Sequence, residues 1–181
     1  MKIKGVAIRG TTRAIESLHG KAALERVRST LPARIRDQLD QVTPLEWYPV
    51  EISASIHLAV REVLGGGTWT VNHDLGRHAA RQDFTGIYKA MIRAVQYDTV
   101  WDRLERAWKQ YASSGEAKWF DRGPGTSKGY ISGVGGYNAG MWSSIAGRCE
   151  GLLILSGARG ASVSMVDPGN TQCHFEAMWL E

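Results

Sequence analysis

The chain has 181 residues, 43% of them apolar and 22% charged, with a formal net charge of +4. That balance describes a single globular domain over residues 1–181 and excludes wholesale disorder. A chain of this length buries a core without help from a metal or a disulfide framework. The two cysteines, Cys149 and Cys173, are too few for a disulfide scaffold or an all-cysteine zinc site. The opening MKIKGVAIRG lacks the apolar run of a secretory leader, and no stretch approaches the roughly eighteen apolar residues of a membrane span. The expected setting is a reducing cytoplasm with both thiols free. Basic excess gathers in the first third, at Lys21, Arg26, Arg28, Arg34 and Arg36, but acidic residues are scattered among them. That is the pattern of a solvated helix face, so no nucleic-acid partner is expected.

Residues 2–9 (KIKGVAIR) alternate loosely and predict a short strand, followed by a helix capped at Thr11 or Thr12 and running to His19. Short helices are expected over 21–29 and 33–42, punctuated by Pro32 and Pro44, because proline removes a backbone donor. Pro49 suits the first turn of the next helix. Its stripe is Ile52, Ile56, Ala59, Val60, Val63 and Leu64, stopped by Gly65, Gly66 and Gly67. A short helix over Asp74–Gln82 precedes an amphipathic segment carrying Phe84, Ile87, Tyr88, Met91, Ile92 and Val95. Asp98 is placed to cap a helix with Trp101, Leu104, Trp108 and Tyr111 on one side, ended by Gly115.

From there the chain changes character. Residues 116–121 and 127–134 read as strands joined across Gly123-Pro124-Gly125. A glycine-rich stretch leads to a helix holding Trp142, Ile145, Ala146, Cys149, Leu152 and Leu153. Gly147 and Gly151, one turn apart, allow that helix to approach another backbone closely. Residues 161–166 and 171–179 form a hairpin about the turn Asp167-Pro168-Gly169-Asn170. The economical packing is α+β, with N-terminal helices on one face of a C-terminal antiparallel sheet that has a helix inserted in it.

The titratable groups do not converge in the linear sequence. His57 lies near the apolar stripe of its helix with no carboxylate at i±4, and reads as a core or boundary histidine. Asp74 and His78 stand four apart and read as a surface pair; two ligands do not make a zinc site. Cys173 and His174 are adjacent on a strand, so their side chains point to opposite faces. Gly133, Gly135 and Gly136 sit between a strand and a helix, but Asn138 takes the place of the third glycine of a dinucleotide fingerprint. No catalytic residue and no metal ligand is assigned, and the chain is read as a non-enzyme. Seven tryptophans are its one unusual count. Such rings fill either a core or a ligand cavity, and both uses stay open.

The runs Cys149-Glu150-Gly151-Leu152-Leu153 and Cys173-His174-Phe175-Glu176-Ala177-Met178-Trp179 resemble the closing helix and hairpin of four-vinyl-reductase-type ligand-binding domains. These share a superfamily with the heme-NO-binding sensors and certain vesicle-tethering subunits. Trp47-Tyr48-Pro49 and Leu75-Gly76-Arg77 are more similar to an uncharacterised paralogue family of myxobacterial proteins there. The resemblance implies helices and a sheet around an apolar cavity that takes heme, aromatic effectors or acyl chains, or else a dimerising scaffold. Heme members carry a Tyr-x-Ser-x-Arg group. Here Tyr130-Ile131-Ser132-Gly133-Val134 lacks the arginine. They also place an iron-ligating histidine roughly thirty residues earlier, where Tyr97–Trp101 contains none. Of the cysteines in the zinc site of phenol-sensing relatives, only Cys173 is matched. The expectation is therefore no cofactor, with heme and zinc both set aside.

The resulting expectation is a cytoplasmic, non-enzymatic sensor or regulatory domain. It binds a small apolar or aromatic molecule in an internal cavity lined by Trp101, Leu104, Trp108, Tyr130 and Trp142, with Tyr130 supplying a hydrogen bond. The alternative is a dimerising scaffold with a filled core and no ligand, its protein partner or second copy meeting the face of Gly147 and Gly151.

Overall fold

The computed structural model describes residues 1–83 and 97–180. The expected amphipathic segment Phe84–Val95 lies outside the described residues. In chain order the elements are β1 (Lys2–Lys4), α1 (Gly5–His19), α2 (Lys21–Thr30), α3 (Ala33–Asp40), β2 (Trp47–Pro49), α4 (Val50–Val63) and α5 (Thr70–Asp83). After the gap come α6 (Tyr97–Tyr111), β3 (Glu116–Gly123), β4 (Thr126–Ser132), α7 (Ala139–Leu155), β5 (Arg159–Val166) and β6 (Cys173–Leu180). The fold is α+β, as the pattern of elements implied. Among the described residues no helix is long and apolar enough to cross a membrane.

The four-stranded sheet has order β3-β4-β6-β5 and is antiparallel throughout. β6 shows the alternation that decides its inner face: Cys173, Phe175, Ala177 and Trp179 are buried, while His174, Glu176, Met178 and Leu180 are exposed. α7 is the helix laid directly on the inner face. Asn138 caps it, accepting a hydrogen bond from the Met141 amide at 3.0 Å. α5 crosses α7 so closely that a Cβ on Gly76 would collide with the Ser144 carbonyl, and one on Gly147 with the His73 carbonyl. Gly151 has Arg77 O and the Ala80 methyl 2.9 Å from where its own Cβ would lie. The close approach read from Gly147 and Gly151 is thus made within the chain. α4 also meets α7 directly, the Asn138 amide donating to the Ala54 carbonyl at 2.9 Å, and α1 packs on α5.

The front of the chain departs from expectation. The strand over 2–9 shrinks to Lys2–Lys4, because α1 already starts at Gly5. Its first amides are satisfied by a distant loop, Gly5 N–H donating to Glu46 O and Val6 N–H to Pro44 O, each at 2.9 Å. Thr11 and Thr12 therefore sit inside the helix and bond back to the Ala7 and Arg9 carbonyls. Residues 47–49 pair with β1 as an antiparallel ribbon, a partner invisible locally. α5 begins four residues before the expected start. Asp98, expected as a cap, falls within α6, and its side chain lies outside the described residues.

Candidate functional site

A cavity of about 160 Å³ opens between α6, α7 and the β3–β4 pair, reached from the other side by β1, α1 and α4. α6 contributes Leu104, Ala107, Trp108 and Tyr111; α7 contributes Met141, Ile145, Arg148 and Leu152, spaced as one helix face. Trp119 and Ile131 come from the sheet, and Ile3, Ala7 and Ser53 from the front of the chain. The lining is mostly apolar, which is what drives an aromatic or aliphatic ligand in.

Of the five residues expected to line a cavity, the structure brings Leu104 and Trp108 to it. Trp101 is fully buried in the packing instead. It stacks on Trp119 with ring centroids 3.8 Å apart, and its Nε1 is enclosed with no partner among the described residues. Trp142 also serves the core: Nε1 donates to the Gly169 carbonyl at 2.6 Å, and the ring meets Phe175 edge-on. Tyr130 is the clear correction. It alternates with Gly129 and Ile131, so it points to the outer face of the sheet, beside Phe120 and His174, and its hydroxyl donates to Glu116 at 3.3 Å. It has no access to the cavity.

What sequence reasoning missed is the polar group of the cavity. His57, on α4, lines it and is 3% exposed. Its Nδ1 lies 2.6 Å from Asn72 Oδ1, while the Asn72 amide donates to the His57 carbonyl at 3.3 Å. With the amide nitrogen committed to a carbonyl, the amide oxygen must face the ring, so Nδ1 carries the proton. Nε2 is left as a lone pair with no partner among the described residues. Burial lowers the imidazole pKa to about 4; the Asn72 bond opposes this and the positive Arg148 adds to it. The ring is therefore neutral near pH 7. A pattern search finds His57 on its apolar stripe, but Asn72 is fifteen residues away on α5.

The remaining polar groups are structural. Asp74 and His78 do not pair: Asp74 accepts from Arg77 at 2.7 Å, and His78 Nε2 lies 2.9 Å from the Ser17 hydroxyl. Glu150 is buried on the side of α7 away from the cavity. It accepts from Arg77 at 3.0 Å and from the Val163 amide at 3.3 Å, with His73 Nε2 at 3.4 Å, tying α7 to α5 and β5. Cys149 lines the cavity and Cys173 faces the core; burial pushes both thiols up to about 12.

No family model and no curated protein matches the chain. Solved structures do, over nearly all of it. A point variant of Tt H-NOX has a TM-score of 0.72 at 13% identity, covering 99% of this chain and 96% of that one. An Fe(II) unliganded H-NOX variant from K. algicida has 0.72 at 10%, covering 99% and 97%. An oxygen-binding H-NOX domain related to soluble guanylate cyclases, in its oxygen complex, has 0.66 at 14%, covering 99% and 96%. The chain has the H-NOX fold. Among the resemblances read from the sequence, the H-NOX fold supports the heme-NO-binding one.

This corrects the expectation that set heme aside. Another structure with the H-NOX fold, matched at TM-score 0.70 and 13% identity over 97% of this chain and 99% of its own, concerns heme redox potential and porphyrin distortion. The expectation had rested on two missing side chains at family positions. It took no account of ligating groups supplied from elsewhere. Trp101 does fill the neighbourhood where the resemblance places an iron-ligating histidine, and indole offers a donor only. The cavity nevertheless holds one neutral imidazole with a free lone pair. It also holds one guanidinium, Arg148, of the kind that suits a carboxylate. Those two groups suit an iron and a propionate, in a void of about 160 Å³ that is the size of one aromatic ring.

Proposed function

We propose that this chain is a non-enzymatic sensor domain of the H-NOX fold, working in a reducing cytoplasm, whose cavity holds heme. The observation that carries the reading is a neutral imidazole, held at Nδ1 by Asn72, on the wall of an apolar cavity, inside a fold whose named solved relatives include an Fe(II) protein and an oxygen complex. Heme, when bound, supplies an iron on which a diatomic gas can sit. This chain's residues supply the rest. Leu104, Trp108, Ile145 and Met141 would exclude water, and Arg148 would hold a propionate. A void of about 160 Å³ is the size of one aromatic ring, so heme enters by displacing wall side chains, and the emission of Trp108 and Trp119 reports that movement. Hemin titration should produce a Soret band that saturates at one heme per chain, with matching tryptophan quenching. A flat absorbance change with no saturation overturns the reading.

The cavity volume favours a second reading, in which the occupant is a small aromatic molecule with a hydrogen-bond donor for His57. Native mass spectrometry against a phenol and indole panel separates the two, since only one predicts retention of a ligand of that size in the absence of heme. The dimerising scaffold with a filled core fares worse on two counts: a cavity is present, and Gly147 and Gly151 are already covered by α5.

A further inference from the structure

We infer that two copies of this chain associate through the outer face of the four-stranded sheet. An antiparallel sheet can leave one side to water, and that side then reads polar. This one carries Phe120, Met178 and Leu180, exposed at 41%, 60% and 67%. They are half of the six exposed large hydrophobic residues among the described residues. The other three, Leu18, Leu45 and Leu58, are scattered over α1, a loop and α4. Apolar side chains collected on one face mark an interaction surface, whereas single ones do not.

Charge selects the partner. Lys118 lies 3.6 Å from Glu116, and Lys128 lies 3.7 Å from Glu176. Arg122, near the end of β3, is tied to Asp102 and Glu105. The face is therefore neutral but patterned. A polyanion gains little from it, while a surface of the same alternating charge is complementary to it. The β4–β6 register sets Lys128 beside Glu176 and Tyr130 beside His174. A two-fold axis lying between two such sheets and running along β4 and β6 puts Lys128 opposite the partner's Glu176 and Tyr130 opposite the partner's His174. Four strands about 4.8 Å apart, with about 3.4 Å per residue, give a flat footprint of roughly 450 Å² per copy. The pair buries on the order of 1,000 Å², the threshold of a specific interface, so the dimer is reversible and concentration-dependent. β3 and β4 turn Trp119 and Ile131 to the cavity and Phe120 and Tyr130 to this face, so the dimer contact stands whatever the cavity takes.

The test is sedimentation of the full chain, without added ligand, from low-micromolar to near-millimolar concentration. Wild type should pass reversibly from the mass of one chain to that of two. Lys128→Glu and Glu176→Lys each set like charges across the axis and should raise the dissociation constant about tenfold or more. Their melting curves should stay close to wild type, because both side chains are exposed. Mixing the two variants in equal amounts should restore a dimer, now a mixed one, and so should both swaps in one chain. Phe120→Asp should weaken it as well. A wild type that stays monomeric throughout, as it would if a different protein covers the face, overturns the inference. So does a dimer that all of these variants leave intact, and so do single swaps that weaken it without recovery on mixing.

Discussion

Cys149 and Cys173 show how burial alone sets a side chain's chemistry. Each thiol is packed among apolar neighbours, and the thiolate would have to form without solvent. Both are protonated in the fold up to about pH 12, against an ordinary value of 9.0. Between those values the native chain binds more protons than the unfolded one. The stability they contribute is thus fully present below about pH 9 and is lost as pH rises through the window, by roughly 1 kcal/mol per pH unit per thiol. Urea midpoints measured from pH 8 to 10.5 should fall accordingly. At pH 8 a disulfide reagent should label neither thiol in the native state faster than the chain unfolds, and rapid labelling of Cys149 would show that the cavity admits water and reagent. Tyr130 teaches a different lesson at this scale. Its outward parity on β4 is readable from the alternation of the strand, although Tyr130 stood among the expected cavity residues. The Tyr-x-Ser-x-Arg group survives as two residues, while the alternation that turns Tyr130 outward is enforced by every pair in the β4–β6 ladder.

At the scale of elements, the α5–α7 crossing is the joint on which the helical layer hangs. Its closeness depends on two glycines facing two carbonyls, Gly76 against Ser144 and Gly147 against His73. Gly76→Ala and Gly147→Ala should each destabilise the chain by about 3 kcal/mol or more, because a backbone carbonyl on a packed helix cannot step aside. Gly135→Ala, which meets nothing within 4 Å, should change it by less than about 0.5 kcal/mol. Chemical denaturation of the three variants checks the contrast, and equal losses would mean that the crossing is loose. Gly147 was legible as a close-approach residue, its partner was not. α7 also explains why the cavity face was misjudged. The helix is buried nearly all round, so its apolar residues form no single stripe. Trp142 and Ala146 are fully buried in the core, while Met141, Ile145 and Arg148 line the cavity.

For the molecule as a whole, an occupied cavity must raise stability, since a ligand that binds only the native state adds RT ln(1 + [L]/Kd). Hemin at about a hundred times its dissociation constant should stabilise the chain by roughly 3 kcal/mol, seen as a higher melting temperature in scanning calorimetry. No shift at saturating hemin would mean that the absorbance change comes from surface adsorption. The same experiment with a phenol gives the corresponding shift if the small-ligand reading holds.

The sequence by itself determined the α+β class, the antiparallel hairpins and the position of most helices, because these follow from periodicities and turn residues that act over a few positions. The hollow it led us to expect lay between α6, the strand of Tyr130 and α7. Only the tertiary structure decided which side of each wall faces in, that residues 43–46 cap α1, and that Asn72 pins His57 with a lone pair turned to the cavity. The reason is physical: a void is whatever volume the packed elements leave unfilled, and its polar contacts join residues whose proximity no local pattern encodes.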